Sequence, residues 1–129
     1  MTHLGFCLFY TADVPATIEF YERAFAMERK FIADGGTFGE LAGAVSLCFA
    51  DAKLAAEHVG EVAAPRPDGP PAAVEIGLIF DDVEAAYARA VAAGATPHRP
   101  PSKKPWGQTV AYVRDLDGVL VELCTPWST

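Results

Sequence analysis

FCLFYTADVPATIEFYERAFAM, Phe6–Met27, decides the fold because its pattern returns later in the chain as EIGLIFDDVEAAYARAVAAGAT, Glu75–Thr96. Each segment is an apolar run that meets an Asp-Val pair and then switches to the apolar spacing of a helix. Asp13 aligns with Asp82 and Val14 with Val83, an offset of 69 positions. A carboxylate at this point accepts orphan N–H groups of the first helical turn and complements the helix dipole, so both aspartates are expected N-caps. Pro15 is tolerated because it falls in that first turn. Val14, Ile18, Tyr21 and Phe25 then form one buried stripe, and Val83, Tyr87, Ala90 and Val91 form another. Gly94 follows the second stripe where a left-handed stop is expected.

The two units also end alike. Leu47–Cys48 stands opposite Leu123–Cys124 at an offset of 76, which sets Ser46 opposite Glu122. The added residues fit the loop RPPSKKPWG, Arg99–Gly107, for which the first half has no counterpart. DLDG, Asp115–Gly118, is a strong hairpin turn between strands Thr109–Arg114 and Val119–Thr125, and Ala42–Gly43 fills that role less emphatically. Between the units, DAKLAAEHV has the makings of a short helix, and GEVAAPRPDGPPA reads as a linker. The expectation is one α+β domain over 1–129, with module one at about 4–50, a linker at about 51–73 and module two at about 74–126. It would hold about eight strands and two main helices, the helices on the outer face of a curved mixed sheet.

A net charge of -7 over 129 residues repels phosphate backbones, so no nucleic-acid partner is expected. Asp13, Glu19, Glu22 and Asp51 interrupt every long apolar run, which excludes a membrane span, and no cationic leader precedes a cleavage site. The expected location is cytoplasmic. Cys7, Cys48 and Cys124 show neither C-x-x-C spacing nor an even count, and they read as apolar fillers in strands.

Asp13-Val14 followed by Phe20-Tyr21, and Asp82-Val83-Glu84-Ala85-Ala86-Tyr87 with Ala93-Gly94-Ala95, resemble the paired module starts of the vicinal-oxygen-chelate (glyoxalase/bleomycin-resistance/dioxygenase) superfamily. Pro105-Trp106-Gly107-Gln108, leading into Arg114-Asp115-Leu116-Asp117-Gly118-Val119-Leu120-Val121-Glu122-Leu123, resembles that family's closing motif. The similarity spans roughly Leu4 to Thr125 and is nearest to bleomycin-resistance-like members that lack a full metal site. It implies two βαβββ modules forming a curved mixed sheet around a cup, usually completed in a homodimer. Its metal-dependent members take two ligands from each module, and those positions fall here on Phe6, Ser46, Glu75 and Glu122. Only the two glutamates are good ligands for a divalent cation.

With Glu75 and Glu122 facing inward, strand alternation places Gly77, Ile79, Leu120 and Cys124 on the same face. By the repeat, Phe6, Leu8, Tyr10, Ser46 and Cys48 join them. Cys7, Phe9, Val45, Leu47, Phe49, Ile76, Leu78, Phe80, Val121 and Leu123 then lie beneath the helices. An apolar, aromatic cup with two buried acids on its floor is what small-molecule sites look like. Two acids held close together should titrate as a pair, with one value raised. Trp106 and Lys103–Lys104 lie on the added loop, where an aromatic ring can stack on a ligand or simply anchor the loop. For the two glutamates, a salt bridge to Arg or Lys, or a place at a solvent-exposed rim, stands beside ligand binding. His3, His58 and His98 read as surface residues, and no histidine is placed to activate Ser46, Cys48 or Cys124 as a nucleophile.

Three functions follow. The first is a small-molecule-binding protein with no metal or other cofactor, taking an aromatic or cationic ligand such as an antibiotic. The second is a lyase, isomerase or dioxygenase in which Glu75 and Glu122 hold a divalent metal ion. The third is a metal-free enzyme with one glutamate as general base.

Overall fold

The computed structural model describes residues 1–127, and these fall into two compact units, Met1–Pro65 and the residues from Arg66 onward. The first unit runs β1 (Phe6–Thr11), α1 (Val14–Phe25), β2 (Arg29–Ile32), β3 (Phe38–Leu41), β4 (Ser46–Asp51) and α2 (Ala52–His58). The second runs β5 (Glu75–Ile79), α3 (Val83–Ala92), β6 (Thr96–Lys103), β7 (Thr109–Arg114) and β8 (Leu120–Cys124). Each unit carries its own four-stranded mixed sheet, ordered β1-β4-β3-β2 in the first and β5-β8-β7-β6 in the second. The first and last strands of each unit pair in parallel, and the other pairings are antiparallel. The β-α-β-β-β repeat is therefore real, and α2 adds a third helix.

Both predicted caps form. The Asp13 carboxylate accepts from Ala16 N at 3.0 Å, and the Asp82 carboxylate accepts from Ala85 N at 3.0 Å. Gly94 takes a left-handed φ of 110° after α3, whereas α1 ends on Ala26 with φ 58°. The stripe Val14, Ile18, Tyr21 and Phe25 is buried against β2–β4 together with Phe20. Gly39 on β3 makes this approach possible, since a Cβ there would stand 3.1 Å from Ile18 Cγ1 and 3.2 Å from Val14 Cγ1. On α3 the buried line is Val83, Ala86 and Ala90, with Tyr87 and Val91 only half-buried on its flanks. Alanines suffice there because α3 packs on Ala111, Val113, Val121 and Leu123, all buried.

Four expectations need correction. The segment Arg99–Lys103 is not loop but the second half of β6, whose prolines 97, 100 and 101 are tolerated because β6 is an edge strand and its register slips twice against β7. The inserted loop shrinks to the turn around Pro105–Gly107, closed by Lys104 N donating to Gln108 O at 2.7 Å. Ser46 does not stand where Glu122 stands. Phe6 pairs with Ser46 and Leu8 with Cys48, while Glu75 pairs with Leu120 and Gly77 with Glu122, so Cys48 is the counterpart of Glu122. The shared Leu-Cys dipeptide suggested an offset two residues too large; because the error is even, the faces assigned to each strand are unchanged. Finally, Cys7 and Val45 are exposed rather than beneath the helices, Cys7 near the start of β1 and Val45 in the β3–β4 turn.

The linker is split between the units. Gly60 N donates to Ala55 O and ends α2 within the first unit. In the second, the buried Arg114 guanidinium donates to the carbonyls of Gly118, Gly69 and Arg66. Gly118 has φ 87°, and a Cβ there would collide with the Arg66 carbonyl, so this turn position must be glycine twice over.

Candidate functional site

Strand β8 is the centre of the polar arrangement in the second unit. Glu122 points to the face away from α3, with Tyr112 directly across on β7 and Gly77 directly across on β5. Glu75, two residues along β5 from Gly77, lies diagonally on the same face, and Cys124 follows two residues along β8. The Tyr112 hydroxyl donates to Glu122 Oε1 at 3.0 Å. The Glu75 and Glu122 carboxyls share a hydrogen bond, which with partial desolvation and the neighbouring charge pushes Glu75 up to about 7. Burial and the bond to Glu122 push Tyr112 up to about 12, and the same two causes push the Cys124 thiol up to about 11. Gly77 has open space where a Cβ would stand, so the β5 side of Glu122 is unobstructed.

The expected pairing of the two acids is present, but they are not buried: Glu75 is exposed and Glu122 half-buried. The cause lies at the edge of the sheet. β5 is an outer strand, and the alternation that hides Ile76 turns Glu75, Gly77 and Ile79 outward.

Beside Glu122 a cavity of about 430 Å³ is lined by Trp106, Gln108, Glu122 and Trp127. Trp106 sits at the tip of the β6–β7 turn, and its indole N–H donates to Gln108 Oε1 at 2.7 Å. Gln108 Nε2 donates in turn to the Thr125 carbonyl at 2.8 Å, two residues before Trp127. With its N–H bonded internally, the Trp106 ring offers the cavity a π surface and no donor.

The first unit carries a different set on the corresponding face. Glu40 on β3 stands across from Cys48, and Lys30 Nζ lies 3.2 Å from Glu40 Oε2. The hydrogen bond to Lys30 holds the Glu40 carboxyl below its usual range. Burial pushes the Cys48 thiol up. Ser46 also bonds Glu40, Phe6 is exposed, and Leu8 and Tyr10 are half-buried.

Of the residues expected to form a site, the structure thus brings Glu75, Glu122, Cys124 and Trp106 together, with Leu120 and Ile79 on the same face. Phe6, Leu8, Tyr10, Ser46 and Cys48 lie on the sheet of the other unit. Lys103 and Lys104 do not line the cavity. Tyr112, Gln108 and Trp127 were missed. Counting back from the DLDG turn would have set Tyr112 opposite Glu122; Gln108 and Trp127 lie outside the strands, where alternation says nothing.

With the geometry in hand, a family model describing the Glyoxalase/Bleomycin resistance protein/Dioxygenase superfamily matches residues 3–123. The chain belongs to this superfamily. Solved structures repeat the fold at low identity. A glyoxalase-related enzyme from Fulvimarina pelagi superposes with a TM-score of 0.82 at 21% identity, covering 98% of this chain and 89% of that one. The hypothetical protein SA1046 from S. aureus gives 0.80 at 15% identity, covering 98% and 95%. TioX from Micromonospora sp. ML1 gives 0.71 at 23% identity, covering 96% and 98%. No curated protein matches the chain in sequence.

Metal-dependent glyoxalase-superfamily proteins need a full ligand set, and the residues here fit one poorly. Phe6 has no donor atom, and the counterpart of Glu122 in the first unit is the buried thiol of Cys48. In the second unit Glu75 is hydrogen-bonded to Glu122, and the Tyr112 hydroxyl donates to Glu122 as well. Among the described residues no three His, Cys, Asp or Glu side chains are grouped to hold a metal ion. Two carboxylates alone leave a hard divalent cation short of its shell.

Proposed function

We propose that this glyoxalase-superfamily chain is a small-molecule-binding protein that works without a metal and takes a planar aromatic ligand carrying positive charge, the chemistry of many antibiotics. The observation that carries the reading is the cavity in which two exposed indoles and one carboxylate face the same space. Its volume falls within the usual range for small-molecule sites. Indole rings attract both flat apolar surface and cations, and Glu122 adds a charge that favours the cation. The test is calorimetric titration with N-methylquinolinium and with neutral 2-naphthol. Trp106→Ala should weaken both. Glu122→Gln should weaken the cation about 5-fold, roughly 1 kcal/mol for one charge across a wet contact, and leave 2-naphthol nearly unchanged. Equal loss for both probes would remove the charge from the argument. Elemental analysis finding one tightly held divalent ion per chain would promote the metal-dependent lyase, isomerase or dioxygenase reading instead.

A second reading draws on Glu75. A carboxyl raised to about 7 is poised to accept a proton near neutral pH, as a general base must. A substrate turned over at a rate that follows one ionisation near pH 7, and is lost in Glu75→Gln, would establish it.

We also propose a cytoplasmic homodimer. Each sheet has an outer parallel strand, and Phe6 and Ile79 on those strands are exposed apolar side chains of the kind a partner covers. Sedimentation at micromolar concentration showing only monomer would rule the dimer out. Among the described residues no helix is long and apolar enough to cross a membrane.

A further inference from the structure

Gln108 lines the Trp106 cavity, and both ends of its side-chain amide are taken up by the protein. It is 6% exposed. Its Oε1 accepts the Trp106 indole N–H at 2.7 Å, and its Nε2 donates to the Thr125 carbonyl at 2.8 Å. Thr125 is itself fixed: its hydroxyl accepts from Thr109 N at 3.0 Å, and its N–H donates to Thr109 O at 3.1 Å. Trp127 lies two residues beyond that anchor. The turn that carries Trp106 is short, with Gly107 at φ 103°, and Trp106 and Trp127 are both largely exposed. Apart from this chain of bonds, little burial holds either ring.

We propose that Gln108 is a positioning residue that sets both indole walls of the cavity at once, holding Trp106 by its ring nitrogen and the Trp127 segment by the Thr125 carbonyl. This rests on the binding reading above, but it concerns how the walls are held, so it can fail separately. Buried amides are costly unless both ends are satisfied, and here the satisfaction is spent on two chain segments far apart in sequence rather than on a ligand. A site whose aromatic walls are fixed in advance loses less side-chain freedom on binding, which is where affinity is gained.

The chain holds two tryptophans, so Trp127→Phe leaves Trp106 as the single indole and gives it a clean fluorescence signal without any ligand. In that background, Gln108→Met removes both bonds at similar length. Acrylamide quenching of Trp106, measured well below the melting temperature, should rise about twofold. Gln108→Glu keeps an acceptor for the Trp106 N–H and loses the donor to Thr125, so quenching should stay near that of the parent. With Trp127 present, both variants should bind the neutral probe 2-naphthol about 10-fold more weakly. A residue that only stabilised the fold would lower the melting temperature in both variants without separating them in Trp106 quenching. Unchanged quenching in Gln108→Met would overturn the proposal. If the native protein binds neither N-methylquinolinium nor 2-naphthol, the binding reading falls, while the quenching comparison still decides the role of Gln108.

Discussion

Replacing Arg114 by Met should cost about 3 kcal/mol and free the linker. Arg114 is 6% exposed, and its guanidinium makes three hydrogen bonds, one to the Gly118 carbonyl of its own hairpin and two to linker carbonyls at Gly69 and Arg66. Each charge-assisted bond is worth roughly 1.5–3 kcal/mol, so three give an upper sum well above the net effect. Two corrections reduce it. Methionine fills the stem volume and removes the desolvation cost of the charge, and the linker carbonyls can turn to water once released. The net of ~3 kcal/mol corresponds to a melting shift of roughly 10 °C for a chain of this size. Urea unfolding gives the energy, and limited proteolysis gives the location: new cleavage should appear between Arg66 and Val74. Arg114→Lys, which can keep one of the bonds, should fall between. If Arg114→Met loses under about 1 kcal/mol and the linker stays resistant, the linker is held by something else, and the account of Gly118 as a contact point for Arg66 fails with it.

Gly39→Ala should destabilise by ~1–3 kcal/mol in urea unfolding, because its Cβ would press on Ile18 and Val14 of α1; a neutral result would mean that α1 sits further from β3. Asp82→Ala should cost about 1 kcal/mol through the lost bond to Ala85 N, measured the same way, with Asp82→Asn recovering most of it. Glu75 gives a pH signature with a definite sign. Its value is raised from 4.5 to about 7, so between those limits the folded state holds a proton that the unfolded state has released. The resulting stabilisation is complete below about pH 4.5 and is lost as pH rises through about 7. The melting temperature of the parent minus that of Glu75→Gln should therefore fall steadily from pH 4.5 to pH 8, and a flat difference would contradict the hydrogen bond that raises Glu75.

The fold was legible because its signals were local and repeated. An aspartate ahead of an apolar stripe, twice, fixes two helix starts, and DLDG fixes a hairpin. Alternation on either side of that turn assigned the faces of β8 correctly even though the register to the first unit was misjudged by two residues. Other features depended on pairing that no single segment reveals. The prolines of β6 look like loop until one knows that the strand lies at an edge. The Leu-Cys dipeptide looked like an anchor for alignment, yet the parallel pairing to the first strand decides the register. The site was half legible for the same reason. Glu75 and Glu122 sit on strands, and alternation finds them. Their exposure depends on β5 being an outer strand, and the role of Gln108 arises from side-chain bonds to the β6–β7 turn and to the segment after β8.

The row Gly77–Glu122–Tyr112 in the second unit corresponds, by strand pairing, to Leu8–Cys48–Glu40 in the first. These six positions lie on the faces of the sheets away from α1 and α3, so the backbone is the same whether the row holds a leucine, a thiol and a lysine-paired acid, or a gap, an acid and a phenol. That makes the row a place where a duplicated unit can change its chemistry without renegotiating its core. A library randomised at positions 77, 112 and 122 should keep most members folded while scattering what they bind, whereas one at Ala111, Val113 and Val121 should lose the fold before it gains anything. Selection can explore ligands on one face of such a sheet at little risk to the other.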